Sequence, residues 1–166
     1  MIFGTSRLTI RKLNMEDLKL FHKMQNDQTV MKYISGKAFS YEENKRDLQN
    51  ILNFYKNPKN DFWVWAVTLA ETSDFIGTVA LVKNEKEEYE IGYRLLKEYW
   101  KKGYGKEVTN GLIKYAFEVK KIKEVVAYVD KNNVTSVRIL DSTFNLIKEF
   151  YNEQDNCIDR YYKLSN

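Results

Sequence analysis

From Arg7 to Arg11 apolar and polar residues alternate, with Leu8 and Ile10 on one side and Arg7, Thr9 and Arg11 on the other. That period of two predicts a strand over about residues 7–12 with one face on a core. The period then lengthens. Leu18, Phe21 and Met24 recur at helical spacing within residues 16–24, and residues 28–33 read as a shorter helical piece. Ser40-Tyr41-Glu42-Glu43 is a capping box, in which Ser40 accepts from the Glu43 amide while Glu43 reaches back. With Leu48, Ile51, Leu52 and Tyr55 following, it predicts a helix over about residues 41–55.

Beyond Pro58 the signal changes to runs rich in aromatic and β-branched residues at 62–69, 75–82 and 89–96. The turns between them, Thr72-Ser73-Asp74 and Asn84-Glu85-Lys86, are too short for crossover helices, so an antiparallel meander is expected. Val108, Leu112, Tyr115, Ala116 and Val119 then line one side of residues 103–119, an amphipathic helix that needs a sheet to cover. The nearly continuous apolar run at 124–129 suits a strand inside a sheet covered on both faces, which makes strand, helix and strand one βαβ unit. Asn132-Asn133 offers an N-cap for a helix holding Val134, Val137, Leu140 and Asp141, and residues 146–151 and 158–164 read as a closing antiparallel pair. The expected fold is α+β, with a mixed, mostly antiparallel central sheet of six or seven strands.

Composition narrows this picture. At 43% hydrophobic and 14% aromatic, the chain is too apolar for disorder, and its 166 residues suit one domain, 1–166. The polar spacer at 56–61 divides two halves of that domain. Lys plus Arg exceed Asp plus Glu by 27 to 23, a net +4 too mild to point to DNA or RNA. Cys157 is the only cysteine and His22 the only histidine, which excludes an intramolecular disulfide, a Cys/His zinc cluster and a multi-histidine metal site. No metal is expected. The start of the chain lacks a basic segment followed by an apolar one, and no apolar run is long enough to cross a bilayer, so a soluble cytoplasmic protein is expected.

The candidate chemistry begins at Lys101-Lys102-Gly103-Tyr104-Gly105-Lys106, between a strand and the start of the long helix. A helix N-terminus carries unpaired amides and partial positive charge, so glycines that let the backbone close on a ligand, with lysines beside them, make an anion site. An exposed turn that merely needs its glycines is the plain alternative. The loop is neither a Gly-Lys-Ser/Thr P-loop nor the six-position dinucleotide fingerprint.

With its neighbours in order, this loop resembles that of the GNAT superfamily of acyltransferases, and within it the RimJ/RimL-like branch of ribosomal-protein N-terminal acetyltransferases. The resemblance covers nearly the whole chain. It rests on Arg7-Leu8-Thr9-Ile10-Arg11, Phe75-Ile76-Gly77-Thr78-Val79, Glu90-Ile91-Gly92-Tyr93, Tyr99 through Gly105, and Asn133 through Leu140. Trp100 stands where the superfamily usually has Arg or Gln, as an aromatic commonly does in this branch. After Leu140 the usual Gly-Phe pair is replaced by Asp141-Ser142-Thr143-Phe144, so that turn must be made otherwise.

The resemblance implies helices on both faces of the sheet and a splayed parallel strand pair, with the pantetheine of acetyl-CoA slotted into the gap. It assigns backbone contacts to Leu95 and Leu96, pyrophosphate contacts to Lys101, Lys102, Gly103, Tyr104, Gly105 and Lys106, and a pantetheine contact to Asn133. It also implies an amine acceptor, with a protein or peptide N-terminus favoured over a polyamine or aminoglycoside, and a homodimer. A non-catalytic acyl-CoA-binding module is the alternative from another class.

Acetyl transfer needs a neutral amine and a leaving thiolate, whose free thiol has a pKa of about 8.5. Glu90 is the candidate proton acceptor, with a solvent-facing strand residue as the plain alternative. By the same resemblance Ser136 lies near the sulfur as a proton donor, with Tyr93 and Tyr128 as rivals and an ordinary polar helix residue as its alternative. Arg138 is either near the cofactor phosphates or simply exposed. Glu85, Glu87, Glu88 and Glu90 concentrate charge that would attract a cationic amine, unless they form a solvated face. Trp63, Trp65, Tyr33 and Phe39 are candidate walls for the acceptor groove or else core, and His22 is assigned no chemistry.

Overall fold

A two-residue strand, β1 (Phe3–Gly4), pairs antiparallel with β2 (Leu8–Arg11), and β2 pairs with β3 (Phe62–Leu69) through Leu8↔Leu69 to Arg11↔Ala66. The computed structural model that shows this describes residues 1–166. The meander follows as expected, with β4 (Phe75–Lys83) and β5 (Tyr89–Leu95) each antiparallel to the strand before it. After β6 (Glu124–Asp130) come β7 (Asn145–Asn152) and β8 (Cys157–Ser165). The strands form one eight-stranded sheet in the order β1-β2-β3-β4-β5-β6-β8-β7. The count exceeds the expected six or seven because Phe3–Gly4 is too short to leave a periodic signal. Its one parallel contact is between β5 and β6, as the βαβ reading requires.

Alternation along the strands serves two cores. Trp65, Val67, Val79, Leu81, Ile91 and Leu95 pack on one face beneath α4 (Tyr104–Lys114) and α5 (Val134–Asp141), with Val108, Leu112, Val137 and Leu140 contributed by the helices. On the other face Ala66, Phe75 and Leu96 meet α1 (Leu18–Gln25), α2 (Gln28–Met31) and α3 (Tyr41–Phe54), which supply Leu18, Phe21, Met24, Val30, Leu48 and Ile51. Burying each Val, Leu, Ile, Phe or Met side chain among these contributes about 1.5–3 kcal/mol. The predicted capping box is present at α3, with Ser40 Oγ accepting from the Glu43 amide and Glu43 accepting from the Ser40 amide. α4 is shorter than its apolar pattern because its last turn, Tyr115–Val119, is π-helical.

The turn after α5 has no glycine to make it. Instead Ser142 Oγ donates to the Ile139 carbonyl at 2.7 Å, and the Phe144 amide donates to the Leu140 carbonyl at 2.7 Å, which drops Phe144 into the core. No helix is long and apolar enough to cross a membrane.

Candidate active site

β5 and β6 touch at a single paired position, Glu90↔Val126, and then part. Antiparallel pairs alternate between hydrogen-bonded and open positions. Since the Leu96 amide donates to the Ile76 carbonyl at 2.9 Å, Gly77↔Leu95 is an open pair, and Ile91, Tyr93 and Leu95 turn their backbone groups away from β4. The amides of Tyr93 and Leu95 thus face the gap beside β6. The Leu95 carbonyl already accepts from the Trp100 indole at 2.8 Å. Leu96, expected to offer a backbone contact, has its amide bonded to Ile76, and its carbonyl accepts from the Tyr99 amide.

At the mouth of the gap, Gly103 caps α4 in the left-handed region at φ +83°, and Lys101 is also left-handed at φ +59°. The Glu107 amide is the first to bond back, to the Gly103 carbonyl at 3.1 Å, so the amides of Tyr104, Gly105 and Lys106 at the helix start have no helical partner. Gly105 is needed for contact: a Cβ there would lie 2.8 Å from the Tyr93 hydroxyl. Lys101 and Lys102 are exposed on the rim, with the Lys102 ammonium 5.2 Å from the Tyr99 ring centre. Unpaired amides with positive charge around them can hold an anion.

Residues far apart in the chain meet across the gap. Tyr93 Oη and Ser136 Oγ stand 3.3 Å apart, and burial raises the Tyr93 pKa above its ordinary value, with Ser136 opposing the shift. Asn133, the N-cap of α5, accepts from the Ser136 amide at 3.4 Å, which leaves its side-chain NH2 uncommitted. On the opposite face, where Arg94 bonds Gln25 of α1, Glu90 accepts from the Asn84 side chain at 3.3 Å. Burial, with help from nearby Glu88 and Asp159 and against Asn84 and Lys86, raises the Glu90 carboxyl above the usual carboxylate range. Gly92, two residues on, has nothing within 4 Å of where a Cβ would stand, so the sheet is open there.

Of the rest of the acidic run, Glu85 is exposed in the turn and the other two carboxylates are not free charge. Glu87 pairs with Lys83, and Glu88 accepts from the hydroxyls of Tyr128 and Tyr161 with Lys163 at 3.6 Å. Glu90 has no ion pair. Tyr128 is stacked on Tyr161 and held by Lys86 at 3.1 Å, so of the rival donors Tyr93 stands beside Ser136 and Tyr128 does not. Trp63 and Trp65 lie against the α4 side, Trp65 edge-on to Tyr115, and do not wall the Glu90 side; Phe39, bonded through its amide to the Gln25 carbonyl, belongs to that side. Sequence reasoning gave no function to Arg7 or Glu107, which are joined at 2.6 Å beside the loop. Arg7 opens the motif Arg7-Leu8-Thr9-Ile10-Arg11, yet only its strand periodicity was legible.

Residues 7–143 match the acetyltransferase (GNAT) domain family. The chain belongs to that family. As a GNAT enzyme it is an N-acetyltransferase whose acetyl donor is acetyl-CoA. It is 28% identical over 165 residues to p20 of Bacillus licheniformis, described as an uncharacterized N-acetyltransferase, spanning 95% of this chain and 91% of that one. The fold is shared with spermidine N-acetyltransferase of Vibrio cholerae in complex with CoA and spermine (TM-score 0.80, 21% identity, 96% of each chain). It is also shared with the RimL ribosomal L7/L12 α-N-protein acetyltransferase in complex with CoA (TM-score 0.82, 14% identity, 97% and 95% of the two chains).

Proposed function

We propose that this GNAT enzyme acetylates the N-terminal amine of a protein or peptide, with Glu90 as the proton acceptor and Ser136 with Tyr93 as the proton donor. The observation that carries the reading is Glu90: it sits where β5 and β6 part, beside the open sheet at Gly92, and of the two carboxylates of its run without an ion pair it is the half-buried one on the strand, whereas Glu85 is exposed in the turn. One half-buried, uncompensated carboxylate suits one amine. A polycation such as a polyamine would call for several, and Glu87 and Glu88 are already neutralised. The order Tyr99-Trp100-Lys101-Lys102-Gly103 supports a place in the RimJ/RimL-like branch.

The same geometry supports an assignment of the cofactor's residues. The amides of Tyr104, Gly105 and Lys106, rimmed by Lys101 and Lys102 and shaped by Gly103, hold the pyrophosphate; the Leu95 and Tyr93 amides and the Asn133 side chain hold the pantetheine amides. Bound acetyl-CoA supplies the acyl group and a thiol leaving group. Glu90 takes the proton that the amine sheds as its nitrogen bonds the acyl carbon. Ser136 hands a proton to the departing sulfur and draws one from Tyr93, which burial keeps protonated. General acid–base help of this kind is worth about 10²–10⁴-fold in rate.

The test is CoA release from acetyl-CoA with a panel of peptides of varied N-terminus, spermidine, spermine and aminoglycosides, for the wild type and Glu90→Gln. Peptide turnover that exceeds polyamine turnover and falls at least ~10²-fold in Glu90→Gln is expected. Preferred turnover of polyamines or aminoglycosides would replace the acceptor. Tight acetyl-CoA binding without turnover of any amine would leave a binding module.

A further inference from the structure

Glu107 is out of place for a site that binds an anion. It lies in the first turn of α4, where a carboxylate favours the helix dipole but repels an anion held by the same amides. Its surroundings answer that repulsion. One carboxylate oxygen accepts from Thr5 Oγ1 at 2.6 Å, Ser6 Oγ at 3.2 Å and the Arg7 amide at 2.9 Å, and the other accepts from Arg7 Nε at 2.7 Å. Burial disfavours its charge, yet the bonds from Thr5 and Arg7 prevail and hold its carboxyl below the usual range.

Arg7 does more than neutralise. A second guanidinium nitrogen donates to the Lys102 carbonyl at 3.1 Å, the group lies 4.5 Å over the Tyr104 ring, and it stands 3.3 Å from where a Cβ on Gly103 would be. An isolated surface ion pair contributes little. This one ties the segment entering β2 to both ends of the glycine turn, with the Glu107 side chain only 15% exposed.

We infer that Arg7 is a positioning residue for acetyl-CoA: through Glu107, Lys102 and Tyr104 it holds the 101–106 turn with its amides presented, and it cancels the one negative charge beside them. The inference rests on the reading that this turn holds the pyrophosphate. A planar guanidinium bonds a carboxylate and a carbonyl at once, which a lysine cannot reproduce.

The experiment compares two donors, acetyl-CoA and S-acetylpantetheine, which lacks the pyrophosphate and nucleotide, at a fixed acceptor amine. Charge-assisted hydrogen bonds of this type predict that Arg7→Ala raises the KM for acetyl-CoA by about tenfold or more with kcat nearly kept. Its kcat/KM for S-acetylpantetheine stays at the wild-type value. Arg7→Lys falls between, and adding Glu107→Gln to Arg7→Ala recovers part of the loss by removing the uncompensated charge. Equal losses with both donors, together with a lower Tm, would make Arg7 a purely structural residue and overturn the inference, as would wild-type behaviour of Arg7→Ala with acetyl-CoA. A wild type that shows no preference for acetyl-CoA over S-acetylpantetheine would remove the reading of the loop itself.

Discussion

Tyr93 on β5 and Ser136 on α5 bring their hydroxyls within 3.3 Å of each other across the gap left by the parting strands. Neither reaches the other through local structure. The contact exists because α5 packs Val137 and Leu140 on the same sheet face that Tyr93 occupies, and because Gly105 leaves room for the Tyr93 ring. If the pair forms one proton path, Ser136→Ala and Tyr93→Phe each lower kcat by about tenfold or more, and the double variant is little worse than either. Steady-state kinetics in a double-mutant cycle checks this; fully additive losses would separate the two residues.

The pH profile of kcat/KM should carry the mark of Glu90. Its carboxyl is raised by burial, so the proton acceptor is ionised only above the ordinary carboxylate range, and activity rises through an acid limb displaced upward. Glu90→Gln should abolish that limb. The same shift has a stability consequence of definite sign. In the window between the unfolded carboxylate pKa and the raised folded one the native state binds more protons than the unfolded chain, so stability falls as pH rises through it. Glu90→Gln is therefore expected to raise Tm at neutral pH and to leave it near the wild type in acid, measured by thermal melts across pH.

Gly105→Ala tests the seat of α4 on the sheet. A Cβ there falls 2.8 Å from the Tyr93 hydroxyl, and overpacking of this kind costs about 1–3 kcal/mol. Urea unfolding should register the loss, and titration with CoA should show weaker binding than in the wild type. Gly103→Ala places a side chain at φ +83° and should cost about 1–3 kcal/mol through backbone strain.

Trp100→Phe removes the indole donor to the Leu95 carbonyl, a hydrogen bond worth about 0.5–1.5 kcal/mol. The KM for acetyl-CoA should rise a few-fold with kcat unchanged, because the bond fixes the chain between the gap and the glycine turn. An unchanged KM would mean that the turn holds its shape without Trp100.

Much of the fold was legible because periodicity is a local property. Ser40 and Glu43 announce α3 within one helical turn, and the strands from Phe62 to Leu95 announce themselves by composition and short turns. The glycine turn was legible for the same reason, since Gly103, Gly105 and the lysines are neighbours in the chain. Phe3–Gly4 was not, because two residues carry no period, and its pairing with Ile10 and Thr9 is made by β2. At Trp63 and Trp65 composition marked a strand but left groove wall and core both open, and the face that meets α4 placed them with the core.

The sequence by itself determined the element types, the βαβ crossing into a parallel contact and the presence of a glycine-lysine loop at a helix start, all matters of spacing over a few residues. Tertiary structure alone decided the order β6-β8-β7, the opening of the sheet beyond Glu90, the meeting of Tyr93 with Ser136 and the tie from Arg7 to Glu107. These depend on which surfaces bury together and which charges must then be paired. That is settled by packing and desolvation over the whole chain, which no local pattern encodes.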